Sequence, residues 1–446
     1  MIGIFKMGDR SGLGTFVTDS TELGSEGVDF FAAPEVFHTY EKGFSVEYKP
    51  NNAITDQGPY EFIIPKDPEH YIQLNMTRLS GTLKVIKEDG TGFTDTEKMS
   101  VCNLFPQSII KQIEVEVEGT QVNDISSSTY AQKAFIESVL TYGLEAKNTH
   151  LKMAGWESDG IGFEDSAADE NIGWKTRKTR IVNKKNYHFN QLLHCDFLQC
   201  NRFLLPNVGM LIRISRNADD FSFMTSDTPT KGKIKVSDLT LHIRKIRINP
   251  DIDRQIESKL SNTPAMYPIS QCKIRAFNMN KGTSRFTIPN VLTGHLPQHM
   301  CIMFCDAKSY NGYKSHNPFT FKHFKLNLLN VKINDIPVYA KPLQPNFSDG
   351  DYLREYRLLF DNCGMYHTNN VINIPMEQWK SGINIYPFDL SPEWCNLFHI
   401  HPGKAGNISV EVGFENDLSD NIYMLVYSVH TQAVLIDKDR NVTLVD

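Results

Sequence analysis

The stretch from Gly8 to Gly14 reads GDRSGLG, with three glycines in seven residues, a composition that could cradle a phosphate. A phosphate loop also needs a lysine followed by a hydroxyl residue, set between a strand and a helix. This stretch supplies neither, so it reads as part of a flexible arm. His399 and His401 stand two apart, which on a strand puts both on one face, and Cys395 is near enough to suggest zinc. A fourth ligand is not evident, and polar histidines at a sheet end are the simpler reading. Cys301 and Cys305 in CIMFC read as small core groups sharing a face. Asp437, Asp439 and Asn441 alternate in DKDRN as calcium ligands do, without the glycine and closing glutamate of a calcium loop. Lys175, Arg177, Lys178, Arg180, Lys184 and Lys185 could touch nucleic acid, but Glu164, Asp165, Asp169 and Glu170 precede them and the chain carries a net charge of −6. That cluster is expected to be a solvated loop. No catalytic, cofactor-binding or metal residue is assigned, and no cofactor is expected.

The elements that would position any such residue come next. At 446 residues the chain exceeds the roughly 250 to 300 residues at which single cores stop growing, which predicts two domains of similar size. Its 27 Phe and 17 Tyr favour strands and a large folded core. No apolar run approaches the roughly 18 residues of a membrane helix, and the N-terminus lacks the apolar length of a secretory signal, so the expectation is a soluble protein from a reducing compartment. Eight cysteines over this length are too sparse for a disulfide scaffold and read as buried thiols. Sequons at Asn75, Asn346, Asn407 and Asn441 read as chance matches.

Residues 1–40 show no sustained period and read as an extended arm. Beyond them period-two alternation dominates, in EFIIP, TLKVI, IEVEVE, VGMLIRI, LTLHI, RFTIP, ISVEVGF and NIYMLVYSV, so the class is all-β. Each half carries one substantial helix. The first follows Thr129, with Ala131, Phe135, Val139 and Tyr142 at helical spacing before Gly143. In the second, Tyr352, Tyr356, Leu359 and Phe360 share a face before Gly364. A short helix bearing Ile252, Ile256 and Leu260 between Pro250 and Pro264 marks the boundary. The predicted division is a first domain over 41–249, a linker over 250–265 and a second domain over 266–446. Residues 144–190 form a long, exposed insertion in the first.

The halves repeat one another. FIIP at Phe62 matches FTIP at Phe286, 224 residues on, and IEVEVEGTQV from Ile113 matches LNVKINDIPV from Leu329, 216 on. NVGMLIRI from Asn207 and NISVEVGF from Asn407 lie 200 apart, and DLTLHI from Asp238 and NIYMLV from Asn421 lie 183 apart. The order is preserved and the connections shorten. Both second-named hairpins turn at two residues, Glu118-Gly119 and Asn334-Asp335. The phase change at Leu328-Leu329 predicts a bulge or a strand passing from one buried environment to another, and Ile109-Ile110 in a comparable place of the first copy predicts a bend there in both halves. Some eight strands per copy close most naturally as two packed sheets, a jelly roll in each half.

The stretches GPYEFIIP, YIQLNMTRLSGTLKV, SVCNLFPQSIIKQIEVEVEGTQV, LHCDFLQCNRFLLPNVGMLIRI, GHLPQHMCIMFCDAKSYNGYKSHNPFTF, VYAKPLQPNF and GNISVEVGFENDLSDNIYMLVYS together resemble the double jelly-roll major capsid proteins of Polinton/Maverick elements and adintoviruses. The likeness runs through most of the chain and is poorest in residues 1–40 and 144–190. It implies a structural protein rather than an enzyme, with two jelly rolls standing side by side in a virion wall. Three copies would form a pseudo-hexameric capsomer that meets neighbouring capsomers, with penton or minor capsid proteins as further partners. Neither sequence-specific nucleic acid nor a membrane-spanning segment is expected. If the basic cluster binds anything, an acidic surface of a neighbouring capsomer is a more plausible partner than a genome. The competing reading is a lectin-like tandem sandwich that displays Trp156 and Trp174 to carbohydrate.

Overall fold

The structure, a computed structural model, describes residues 39–126, 128–226, 231–365, 368–369, 371–391 and 403–445. Residues 1–38 of the 1–40 arm and the Cys395, His399 and His401 group lie outside them, and Tyr40 already belongs to a strand. In chain order the first half contributes β1 (Tyr40–Tyr48), β2 (Tyr60–Ile64), β3 (Tyr71–Lys87), β4 (Met99–Val101), β5 (Ile110–Val117), β6 (Thr120–Gln121), β7 (Tyr187–Leu192), β8 (Met210–Arg216), β9 (Phe223–Thr225) and β10 (Gly232–Ile248). The second contributes β11 (Ala265–Met279), β12 (Arg285–His295), β13 (His299–Asp306), β14 (Leu326–Ile333), β15 (Ile336–Pro337), β16 (Ile385–Asp389), β17 (Ala405–Phe414), β18 (Ile422–Ile436) and β19 (Val442–Val445).

The strand order is the same in both halves. The first has sheets β1-β10-β3-β7 and β2-β8-β5-β6, and the second has β11-β18-β13-β16 and β12-β17-β14-β15. Setting aside the β4–β9 ribbon and the extra β19, each half orders its eight strands first-eighth-third-sixth and second-seventh-fourth-fifth, antiparallel throughout. Two Greek keys closed as two facing sheets are a jelly roll. The fold is a tandem pair of them, all-β, with a main helix inserted in each.

The matched hairpins occupy the same place in each roll. Ile113, Val115 and Val117 pair with Ile214, Ile212 and Met210, as Leu329, Val331 and Ile333 pair with Val412, Val410 and Ile408. The ladder slips between Ile110 and Gln112, and again between Leu326 and Leu328, leaving Lys111 and Asn327 as bulged residues 216 positions apart. The bulge reconciles the phase change with burial: it lets Leu326 and Leu329 both face the core although three positions separate them. Both hairpin turns are left-handed at both central residues, with φ of 50° and 79° at Glu118-Gly119 and 48° and 66° at Asn334-Asp335. That geometry matches the strands' right-handed twist.

Two expected alignments are displaced by two residues. Phe62 pairs with Ile212 and Ile288 with Val410, so the counterpart of Phe62 is Ile288 rather than Phe286. By the same ladders Met210 corresponds to Ile408 rather than Val410. A slip of two preserves every inward and outward side chain, so alternation alone does not detect it.

Among the described residues four helices reach nine residues or more: α1 (Tyr130–Thr141), α2 (Ile172–Ile181), α3 (Pro250–Leu260) and α4 (Leu353–Asp361). Asn249 starts α3 by accepting from the Asp251 N–H at 2.9 Å, and Ile252, Ile256 and Leu260 pack onto the first roll's core. Gly364, at φ 65°, stops α4 as expected, with the Met365 N–H returning to the Phe360 carbonyl at 2.9 Å. Gly143 does not stop α1 in this way. Tyr142 turns extended, and Gly143, at φ −76°, leads into another short helix over Leu144–Asn148.

The region 144–190 is not an exposed loop. Leu151, Trp156, Trp174 and Ile181 are buried, and so is Arg177, which belongs to α2. Charge in the sequence suggested solvent, but here the charges pair internally and the tryptophans supply the burial. The hydrophobic cores also ignore the division into halves. Leu104, Phe135, Ile136, Trp156, Trp174 and Phe221 belong to the second roll's core, whereas Tyr267, Ile269, Val434 and Ile436 belong to the first roll's.

Candidate functional site at the seam between the rolls

α1 lies between the rolls. Tyr130 and Ala134 pack into the first core, while Ala131, Phe135, Ile136 and Val139 pack into the second. A helix apolar on several sides must be covered on several sides, and YAQKAFIESVL has that character. Phe135 stacks on Phe319 of the second roll, with centroids 4.7 Å apart and planes 5° apart, and on Trp156 at 5.8 Å. Each such pair contributes about 0.5–1.5 kcal/mol beyond its buried area.

Two charged residues of α1 are enclosed in the same seam. The Lys133 ammonium lies 2.5 Å from Asp196 Oδ1 and 3.7 Å from Glu137 Oε1, and His194 Nδ1 lies 2.6 Å from Glu137 Oε2. The second roll completes the node. The Cys272 N–H donates to Asp196 Oδ2 at 3.0 Å, Tyr427 Oη donates to Glu137 Oε1 at 3.4 Å, and Cys272 Sγ lies 3.0 Å from Tyr427 Oη. Burial by itself would lower Lys133, but Asp196 and Glu137 outweigh it and hold the ammonium well above its usual pKa. Burial likewise opposes ionised Glu137, yet Lys133 and His194 prevail and hold it at about 2. Asp196 is raised, by burial first and by the Glu137 charge, despite Lys133. One ammonium serving two carboxylates in a dry site gives this split.

Glu137, Asp196 and Cys272 offer ligand atoms within 4.8 Å of one another. Lys133 already provides the positive charge those oxygens need, so the set fits an ion-pair clasp rather than a metal. Burial also drives the Cys272 thiol well above its ordinary pKa, which removes thiolate character.

A second node ties the region 144–190 across the seam. Arg177, fully buried, donates to the Val101 and Glu157 carbonyls at 2.7 Å each and to Asp159 Oδ1 at 2.6 Å. From there the contacts cross. Lys322 of the second roll bridges Asp165 at 2.5 Å and Asp306 at 2.7 Å, Ser381 Oγ donates to Glu164 Oε1 at 2.6 Å, and the Asn317 side chain donates to the Glu164 carbonyl at 2.9 Å. Half of the acidic patch is therefore an inter-roll bracket.

The sequence-flagged residues fall elsewhere. Cys301 and Cys305 are buried on β13, their thiols pushed up by burial. Asp437 accepts from the Asp439 and Asn441 N–H groups at 2.9 and 2.8 Å, closing the β18–β19 turn on itself. Trp156 and Trp174 are 3% and 1% exposed and display nothing to a ligand, and Trp174 Nε1 donates to the Met224 carbonyl at 3.0 Å. The six basic residues separate: Arg177 is buried while Lys175 faces Asp169 at 4.0 Å. The clasp residues Lys133, Glu137, His194, Asp196, Cys272 and Tyr427 were not singled out beforehand. The available signal was a Lys–Glu pair four apart inside a helix apolar on several sides.

No family profile matches the sequence. The chain is 24% identical over 408 residues to the uncharacterized protein F54H12.2 of Caenorhabditis elegans, covering 87% of this chain and 94% of that one. Its fold is similar to that of a chain in the structure of the Sputnik virophage (TM-score 0.63, 11% identity, 96% of this chain and 93% of that one). It is similar also to the Faustovirus major capsid protein (0.58, 8%, 95% and 94%) and the mavirus major capsid protein (0.54, 9%, 96% and 95%). At these identities the likeness is one of fold: the double jelly roll, end to end, that viral major capsid proteins use.

Proposed function

We propose that this chain is a structural major capsid protein of the Polinton/Maverick and adintovirus type, without catalysis and without a cofactor. The observation that carries the reading is the exact repetition of strand order in two rolls, here taken as 41–249 and 266–446 with 250–265 between, locked together by a buried seam. A duplicated domain gives each subunit two similar contact surfaces. Three copies then present six similar units, and such pseudo-hexamers tile a closed shell through heterologous contacts. The end-to-end fold likeness to major capsid proteins supports the same reading. The partners are two further copies, neighbouring capsomers and penton or minor capsid proteins. The place of action is the virion, after synthesis inside the host cell.

The lectin-like alternative rested on Trp156 and Trp174, and their burial removes its leading residues. The two readings separate in one experiment, in which the chain is expressed, alone and with candidate penton proteins, and sedimented on a gradient. Closed shells or capsomer sheets in the electron microscope are expected. A chain that stays dispersed and is retained on glycan arrays would overturn the proposal.

A further inference from the structure

The four strands of the sheet β1-β10-β3-β7 carry nine lysines and arginines against three carboxylates, whereas the counterpart sheet of the second roll, β11-β18-β13-β16, carries two of each. Leu79, Leu83, Ile234, Leu241 and Ile243 turn the inner face of the first-roll sheet to the core. The outer face is polar, with Ser80 Oγ 2.7 Å from His242 Nε2 and Thr82 Oγ1 3.0 Å from His188 Nδ1. On it Lys84 stands directly opposite Lys235, and Arg78 opposite His242. Like charges directly opposite are destabilising, and an anion between them relieves the repulsion. The face's own carboxylates are taken, Glu47 by His242 at 3.7 Å and Asp238 by Lys49 at 2.8 Å. Among the described residues none of Arg78, Lys84, Lys233, Lys235 and Arg244 has a carboxylate partner. A face of one sign attracts a polyanion.

The chain supplies a polyanion beside this sheet. Residues 11–38 hold Asp19, Glu22, Glu26, Asp29 and Glu35 and no lysine or arginine. They lead into β1 at Tyr40, whose partner across the ladder is Ile248 of β10. Arg244 stands 4 residues along β10 from Ile248 and Lys235 stands 13, which is about 13 Å and about 43 Å at roughly 3.3 Å per residue. Glu35 stands 5 residues before Tyr40 and Glu26 stands 14, so an extended chain carries them at most about 18 Å and about 50 Å. Carboxylates and cations therefore come within reach in one order, Glu35 with Arg244 near the start of β1 and Glu26 with Lys84 and Lys235 at the far end. A tethered segment competes at an effective concentration in the mM range, which favours the chain's own arm over that of a second copy.

We infer that the acidic segment over residues 19–35 lies along the basic outer face of β10 and β3 in its own chain and screens that face from other polyanions. The contact needs no second subunit, so it stands or falls independently of the capsid reading. Full-length protein is treated with a water-soluble carbodiimide, which joins a carboxylate to an amine only where the two touch. The expected products link Lys84 or Lys235 to Glu22, Glu26 or Asp29 and still run at the single-chain mass of 50.8 kDa on a denaturing gel. The second measurement is binding to a fluorescent DNA duplex at about 50 mM salt. An arm that covers the face about nine-tenths of the time lowers the apparent affinity of a competitor about tenfold. Glu22→Gln/Glu26→Gln/Asp29→Asn should therefore bind the duplex about tenfold more tightly than wild type, and adding Lys84→Gln/Lys235→Gln should abolish the gain. Neutralising three exposed carboxylates elsewhere, Glu145→Gln/Asp417→Asn/Asp420→Asn, should give no such gain. The absence of arm-to-face links, links confined to products of twice the chain mass, or equal DNA binding by the arm variant and either wild type or the distant triple variant would overturn the docking.

Discussion

Replacing Lys133 by Met should remove the one ammonium that serves two buried carboxylates. Breaking a buried pair from one side costs about 3–5 kcal/mol. The middle of that range applies, because Asp196 would lose the ammonium 2.5 Å away, whereas Glu137, 3.7 Å from it, keeps His194 at 2.6 Å. For a roll of this size each kcal/mol is about 2–4 °C, so the melting temperature should fall by roughly 10 °C or more. The pH dependence is the sharper readout. In the wild type Glu137 is held at about 2, below its ordinary value of 4.5, so its stabilisation is complete above 4.5 and disappears as pH falls toward 2. In the variant Asp196 is pushed up by burial and by the Glu137 charge with no ammonium to oppose them, so the destabilisation is largest at neutral pH and shrinks as acid protonates it. The wild-type and variant curves should therefore converge between pH 7 and pH 4. Adding Glu137→Gln and Asp196→Asn to Lys133→Met should recover most of the loss at pH 7, because the stranded charges are gone. Chemical unfolding at several pH values checks this. A loss under about 1 kcal/mol, or one that does not vary with pH, would refute the clasp.

Three further outcomes follow from particular sites. Asp335→Gly should stabilise the second roll by about 0.5–1 kcal/mol in denaturant titration, since Asp335 sits at φ 66° where the first roll already has Gly119. Arg177→Met removes the buried guanidinium that serves two carbonyls and Asp159 and should cost about 3–5 kcal/mol, whereas the exposed Lys175→Met should change stability by no more than about 0.5 kcal/mol. Burial, with Lys380 and Lys325 adding to it, holds His323 at about 4, below its ordinary 6.5, so the wild type should lose stability as pH falls from 6.5 to 4 and His323→Asn should flatten that segment of the curve.

The repeat was legible because strands alternate. The hairpins at Glu118-Gly119 and Asn334-Asp335, the bulges at Lys111 and Asn327 and the helix stop at Gly364 all followed from local pattern and turn chemistry. The same period of two concealed the displacement at Phe62 and Met210, because a slip of two leaves polarity unchanged. The region 144–190 misled for a different reason. Its burial rests on single residues, Trp156, Trp174 and Arg177, whose partners are far along the chain, and charge there reads as solvent until those partners are seen. The clasp was hidden for the same reason, assembling Lys133, Asp196, Cys272 and Tyr427 from widely separated positions.

The central claim is that two rolls of one strand order make this chain a third of a pseudo-hexamer. Native mass of the purified protein, combined with two-dimensional class averages of the same sample, tests it most directly. The prediction is a particle of three times 50.8 kDa with a six-lobed outline. A monomer at every concentration, or an assembly whose copy number is not a multiple of three, would contradict it.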